Sequence, residues 1–430
     1  MIRLPKHLTA AMAGLITAAI LVAFAPAMAP TSVRAQDPVT IRFWTTDEDN
    51  YSAIVEQFEA EYPGITVEAQ YVGNYDDMSA RMQTAIVGND LPDVAQVGQR
   101  YGIPQMVDAG VVIPAAEYLS EDDIADIHEG LWSRYTYRGE RWAIPFESST
   151  PGLWYNATLM EEAGLDPANP PQTWDELVSA AQAMTRDTNG DGQMDQWGFG
   201  TCDDVPWYQR PMVLQAGGTL VAEDGTVSVN SPEAVEMLTF FQDAVHTNAF
   251  TPALSQQTAR EDFSAGTYGM LFCSTASRLA FQEDVGDTFE LGVAFLPMND
   301  ERAVGVGGNA LIAVRGGDEA REEAARTFVQ WMTGTDQAVN TSLNSGYVPI
   351  RQSAIEDPRI AELVASDPLV ATIYDQLQYV ADSSISPADS LIWDGFLNAV
   401  ETVQTDPDAD PQALLDALQS DIESYLDTYE

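Results

Sequence analysis

Lysine is nearly absent from this sequence. Lys6 is the only one in 430 residues, and lysine and arginine together number 19 against 66 acidic residues. From residue 360 onward there is no basic residue at all. A surface this negative repels nucleic acid and anionic membranes, which excludes both as expected partners. The acid is spread along the chain rather than gathered in one tail, so it reads as surface dressing and not as an interaction arm. Adaptation to high salt explains it, because screening at 1 M shortens electrostatic reach to roughly 3 Å. Histidine is scarce too, with three residues at positions 7, 128 and 246. There is no HExxH, no GxSxG and no Cys/His zinc cluster, which removes the common metallohydrolase and serine-hydrolase patterns. Carboxylates are so abundant that no glycosidase-like pair stands out. An exported glycoside-active enzyme stays as the weaker alternative. Cys202 and Cys273 are the only cysteines. An oxidising compartment permits a disulfide between them, and two buried thiols fit the spacing equally well.

Long apolar runs are missing except at the start. Arg3 and Lys6 precede "LTAAMAGLITAAILVAFAPAMA", and small residues lead to "SVRA" before Gln36. This is the pattern of a secretory signal peptide over residues 1–35, cut after Ala35. A retained anchor is the alternative, since the run nearly spans a bilayer. Pro26, Pro30 and the small residues near the exit favour cleavage. No cysteine stands at the cleavage site, so a lipoprotein is excluded. The mature chain is expected to be soluble, periplasmic and without lysine. Losing Arg3, Lys6 and Arg34 leaves 16 basic against 66 acidic residues, a net charge of −50.

What is present is strand–helix alternation. "VTIRFWT" (39–45), "ITVEAQYV" (65–72) and "DVAQVG" (93–98) read as strands, with amphipathic helices at 51–63 and 75–89 between them. This argues an α/β fold with a largely parallel sheet, whose ligands gather at the carboxyl ends of strands near Trp44, 73–75 and 98–100. "RWAIPFESSTPGLWYN" (141–156) reads as a crossover. Further helices are expected at 173–187, capped by Thr173 with Glu176, at 231–248 and at 319–334. Buried strands are expected at 268–274, 291–297 and 310–314, and the tail from about 354 is mostly helical.

Two motifs imitate other functions. "DTNGDGQMDQWG" places Asp187, Asn189, Asp191, the Gln193 carbonyl and Asp195 at EF-hand-like spacing, so a structural calcium is the cofactor to consider. Gly198 stands where an EF-hand carries its bidentate Glu, and no second helix frames a sensor. A calcium-regulated scaffold is accordingly a minor alternative. "GVGGNA" (305–310) matches GxGxxA, but a strand follows it where a phosphate-binding helix would be needed. Aromatics are the better clue. Trp44, Tyr75, Trp132, Trp154, Trp207, Tyr347 and Trp393 fall at strand ends or in irregular stretches, several beside Ser, Asn, Asp or Gln. Sugars need that mixture: rings for their C–H faces, amides and carboxylates for their hydroxyls. Trp207, in the polar stretch "CDDVPWYQ", suits a core poorly.

Seven segments together resemble the family 1 extracellular solute-binding proteins of ABC importers. They are "IRFWT", "FEAEYPGITVEAQYVGNYDD", "GNDLPDVAQVG", "IPFESSTPGLWYNATLMEEAGLDPANPPQTWDEL", "DTNGDGQMDQWGFG", "FSAGTYGMLFCSTAS" and "NSGYVPIR". The resemblance implies a two-lobed type II periplasmic-binding-protein fold with a ligand cleft between lobes joined by hinge crossovers. The N-lobe would comprise 37–146 and 300–346, and the C-lobe 147–299 and 347–430. The protein would be a non-enzymatic monomer that delivers a carbohydrate to inner-membrane permease subunits. By motif, the nearest branch is the glycerol-3-phosphate-binding periplasmic proteins. Carried over, that branch points to Tyr75, Ser149, Trp207, Ser274, Gly308 and Tyr347 as cleft residues. Tyr75 and Trp207 would stack on the ligand, with Trp44 and Trp393 as further rings. Gln99, Glu147, Ser149, Ser274 and Asn309 would bond hydroxyls, and Gly308 would let the backbone approach. The sequence departs from the branch in having Gln99 for a Glu and no arginine in the C-terminal region. Arg100, Arg278 and Arg351 are substitutes that do not align. A phosphate buried without a cation is costly, so a neutral mono- or oligosaccharide is the expected ligand. Glycerol-3-phosphate or a glycerophosphodiester is the alternative.

Overall fold

The computed structural model describes residues 38–48, 51–98, 102–202, 206–255 and 258–429. The export signal expected at 1–35, and Gln99 and Arg100, lie outside the described residues. Alternation in β1 (Val39–Thr45) turns Ile41 and Phe43 into the core. β1 pairs in parallel with β2 (Ile65–Tyr71) on one side and with β3 (Val94–Gly98) on the other. The helices Tyr51–Glu61 and Tyr75–Gly88 make the two connections. Asn74 caps the second of these in a full capping box with Asp77. β11 (Gly307–Ala313) runs antiparallel beside β3, and β6 (Ile144–Ser149) runs antiparallel beside β11. The order is β2-β1-β3-β11-β6.

A second sheet has the order β10-β7-β9-β8. Here β7 (Pro151–Asn156) runs antiparallel to β9 (Tyr268–Ser274) and to β10 (Leu291–Ala294), while β8 (Trp197–Thr201) is parallel to β9. A small hairpin, β4 (Thr136–Tyr137) and β5 (Glu140–Arg141), turns through Arg138 and Gly139 with positive φ. The expectation of a largely parallel sheet therefore holds only for β2-β1-β3. β6 runs almost straight into β7, from one sheet to the other, and parallel neighbours need a longer crossover than that.

Each sheet has its own core. Phe43, Phe58 and Phe328 meet edge to face in the first, at centroid distances of 5.3 and 4.9 Å. Phe199 and Phe272 do so in the second, at 4.8 Å. The switch between sheets falls at Thr150, so the lobe boundary expected at 146/147 lies inside β6. Thr150 is buried and pinned, with its hydroxyl accepting from Gln376 Nε2 at 2.9 Å and its backbone paired to Thr275. Cys202 and Cys273 form a disulfide that ties the end of β8 to β9. No helix among the described residues is long and apolar enough to cross a membrane.

Candidate functional site

Glu147 lies near the end of β6, and the ends of β3 and β11 meet it there. The Asn309 amide donates to Glu147 Oε2 at 2.8 Å and to the Tyr75 hydroxyl at 3.0 Å. Tyr51, first residue of its helix, donates to Glu147 Oε1 at 3.2 Å. Gln96 Nε2 donates to the Tyr51 hydroxyl at 3.1 Å and to Glu147 Oε2 at 3.3 Å. The Gln96 carbonyl accepts from both the hydroxyl and the backbone N–H of Thr46 and from Thr45 Oγ1, which fixes the amide's orientation. Gly98 makes room for this arrangement, since a Cβ there would come within 2.7 Å of the Tyr75 ring. Five polar side chains, three from strands and two from the first residues of helices, thus converge beside the carboxyl ends of the parallel strands, the usual place for a ligand.

Burial pushes the Glu147 carboxyl above its ordinary value, partly offset by the Asn309 bond, and Asp47 repels it further in the same direction. Burial raises the Tyr75 phenol to about 12, and lifts Tyr51 and Tyr347 beyond the ordinary phenol range, with Glu147 adding to both. The three phenols are therefore neutral hydroxyls around one buried carboxyl group. Such a group offers hydrogen-bond donors and acceptors of the kind that pair with hydroxyls, and it contains no histidine.

Trp207 approaches from the second sheet. It is the second residue of the helix Pro206–Gln215, not part of an irregular stretch as its sequence suggested. Its indole N–H donates to the Val306 carbonyl at 2.8 Å. A Cβ on Gly307 would strike the indole, and it would come within 2.5 Å of Ser149 Oγ. Trp207, Gly307 and Ser149 are thus stacked at the crossover between sheets. Gly308, at φ +91°, has a different role from the one expected. Its missing Cβ admits the Glu147 carbonyl of β6, not a ligand. Ser274 ends β9 opposite Pro151, and its hydroxyl caps the turn Thr275–Ser277. Gly346, just before Tyr347, packs against Ala276 of that turn at 2.7 Å from where its Cβ would be. Tyr347 is thereby carried to the same crossover.

Four tryptophans are corrections. Trp44 is 3% exposed and covered by the Arg81 guanidinium at 4.2 Å, so it is a core ring. Trp154 is fully buried against Phe281, and Trp132 is 1% exposed. Trp393 is buried on the helix Asp389–Thr405, and no described contact joins it to Glu147. Sequence reasoning missed Tyr51, Gln96 and Asp47. Gln96 carried a signal, as the lone amide in an otherwise apolar strand.

The arginines are engaged elsewhere. Arg278 pairs with Asp367 at 2.8 Å, and Arg351 with Asp123 and Asp126 at 3.3 and 3.2 Å. Buried Arg134 and Arg210 share Asp382 and Asp389. Two of the three proposed substitutes for the missing phosphate-binding arginine are thus committed to other carboxylates, and the third, Arg100, lies outside the described residues.

The loop 187–195 closes on itself. Asp187 accepts from the amides of Gly190, Asp191 and Gly192, and Asp195 from Thr188 and Asn189. Asn189 and Asp191 each accept from the amide two residues on, Asp191 and Gln193. No three acidic or imidazole side chains converge as metal ligands among the described residues.

A cavity of about 530 Å³ opens beside the constellation, lined by Asp47, Tyr51, Glu147 and Tyr347 together with the helix Thr335–Asn344. A larger one of about 790 Å³, between Glu129–Gly139, Ala222–Gly225 and Asp382–Pro387, shares no residue with it.

The fold is two sheets joined by crossovers, with a buried polar cluster beside them. Residues 44–339 match the model of the bacterial extracellular solute-binding protein family, and the chain belongs to that family. It is 27% identical over 362 residues to the sn-glycerol-3-phosphate-binding periplasmic protein UgpB of Pectobacterium atrosepticum, covering 79% of each chain. Its fold is similar to that of Mycobacterium tuberculosis UgpB solved in complex with glycerophosphocholine (TM-score 0.78, 23% identity, 90% of this chain and 98% of that one). It is equally similar to the cyclic alpha-maltosyl-1,6-maltose binding protein of Arthrobacter globiformis (TM-score 0.77, 23% identity, 90% and 99%).

Proposed function

We propose that this protein is an exported, non-enzymatic binding protein that captures a neutral sugar and delivers it to the permease subunits of an ABC importer. The carrying observation is the Glu147–Asn309–Tyr75 group, a buried carboxyl among neutral hydroxyls on which no arginine is turned among the described residues. A phosphate beside a buried carboxylate would be repelled and would lack its charge-assisted partner. Tyr75, Tyr347 and Trp207 supply rings for the sugar's C–H faces. The chain acts in the periplasm, after loss of residues 1–35.

A glycerophosphodiester is the second reading. The identity to a glycerol-3-phosphate-binding relative favours it, and a choline-type cation suits acidic, aromatic walls. Calorimetric titration in high salt decides between them. Mono-, di- and trisaccharides, glycerol-3-phosphate and glycerophosphocholine are the titrants. Micromolar or tighter binding of a neutral sugar is expected; binding of a phosphate ligand alone would overturn the sugar reading. Intact sugar after prolonged incubation is expected of a binding protein, and cleavage would reveal an enzyme.

A further inference from the structure

The Cys202–Cys273 disulfide stands where the second sheet faces the crossover. β8 and β9 are parallel neighbours, with Phe199 opposite Met270 and Thr201 opposite Phe272. Cys202 follows the last residue of β8, and Cys273 is the last but one of β9. The bridge therefore joins the carboxyl ends of two parallel strands, the side on which α/β sheets bind ligands. Each half-cystine leads into the candidate site. Ser274 follows Cys273, and its hydroxyl caps the turn Thr275–Ser277, which packs on Gly346 beside Tyr347. Trp207 follows Cys202 by five residues. The next residue, Tyr208, is fully buried and donates its hydroxyl to the Cys202 carbonyl at 2.7 Å, with its ring 5.3 Å from the indole. Arg260 touches both arms. Its Nη1 donates to Ser277 Oγ at 2.9 Å, and its Nη2 lies 3.8 Å from Cys202 Sγ.

We propose that this disulfide is a positioning element of the binding site. It holds Trp207 and Ser274 at the spacing that the ligand meets, so ligand affinity depends on it as well as stability. Strand ends and the segments that leave them open locally at low cost. A covalent tie at that point removes the freedom before the ligand arrives, and a site ordered in advance binds more tightly. The path to the indole runs through the Cys202 carbonyl and Tyr208. The path to the hydroxyl runs through one peptide bond. The inference rests on reading Trp207 and Ser274 as ligand residues.

The test compares the mature protein with its Cys202→Ala/Cys273→Ala variant in high salt. Thiol titration of the denatured, unreduced wild type should find no free thiol, and free thiols would overturn the proposal. Hydrogen exchange without ligand comes next, read by mass spectrometry. Amides of residues 206–215 and 275–277 should exchange at least tenfold faster in the variant, while those of β1, β2 and β3 keep the wild-type rate. Uniform acceleration, or none, would mean that the bridge serves stability alone. Maltose, maltotriose and glycerophosphocholine are then titrated. A probe that the wild type binds should bind the variant at least tenfold more weakly. In a Trp207→Ala background the same loss of the bridge should cost threefold at most, and an equal cost in both backgrounds would sink the positioning of Trp207. If the wild type binds none of the three probes, the ligand reading suffers, and the exchange result still decides what the bridge orders. Tyr208→Phe covers the case in which the variant does not fold. It keeps the bridge and removes the hydroxyl tie, and it should speed exchange over 206–215; an unchanged rate there would count against the proposal.

Discussion

Glu147 is held in a place that opposes its charge, and that shapes two outcomes. Its folded pKa is raised above the ordinary 4.5. Its contribution to stability is thus fully present below the unfolded value and is lost as pH rises through the folded value. At pH 7 the ionised form is a burden on the fold. Glu147→Gln should raise Tm at pH 7 by about 1–3 °C, a gain that vanishes in scans below pH 4.5. The same change should weaken sugar binding at least tenfold by calorimetry, because the carboxylate's acceptor strength is lost. Wild-type affinity should fall as pH drops through the raised value, while the variant's stays flat. Trp207 acts differently. Its N–H is spent on Val306, so what it offers a ligand is a fixed ring face. Trp207→Ala should cost tenfold or more in affinity by titration, and an unchanged Kd would remove it from the cleft.

At the scale of elements, the helix bearing Trp207 is anchored by ions. Arg210, three residues on, shares Asp382 and Asp389 with Arg134 from the segment Glu129–Tyr135. Arg134→Ala leaves a buried negative excess and should cost about 3–5 kcal/mol in denaturant unfolding. A milder loss would mean that water reaches the cluster. The loop 187–195 lies before β8, and Trp207 comes after it. The five residues of β8 alone span roughly 17 Å. Because the loop's carboxylates already hold its own amides, a chelator should leave Tm within about 1 °C of its starting value. It should leave Kd unchanged as well. A rise of several degrees on adding calcium would show that the carboxylates turn outward around the ion.

For the whole molecule, a net charge of −50 after export works against compactness unless salt screens it. The Debye length falls from about 10 Å at 0.1 M to about 3 Å at 1 M, so thermal scans should show Tm rising by about 5 °C or more across that range. A flat response would mean that the charge is tolerated without screening. This charge was legible in composition alone, because it needs no coordinates. So were β1 and β9, where alternation or a buried apolar run has only one reading. Tyr75, Glu147 and Asn309 entered through family resemblance, Gln96 was marked only as the lone amide of an apolar strand, and Tyr51 had nothing local to mark it. Trp44 shows the converse: its strand-end position suggested a ligand ring, and Arg81 from the helix Tyr75–Gly88 covers it. Sequence by itself determined the acidic surface, the strand and helix segments and the capped helix starts, because those follow from each residue's own charge and from neighbours a few positions away. Only the tertiary structure decided the site. Asn309 meets Tyr75 across 234 positions of chain and Glu147 across 162, and contacts so distant are fixed by sheet order and packing, which no local pattern encodes.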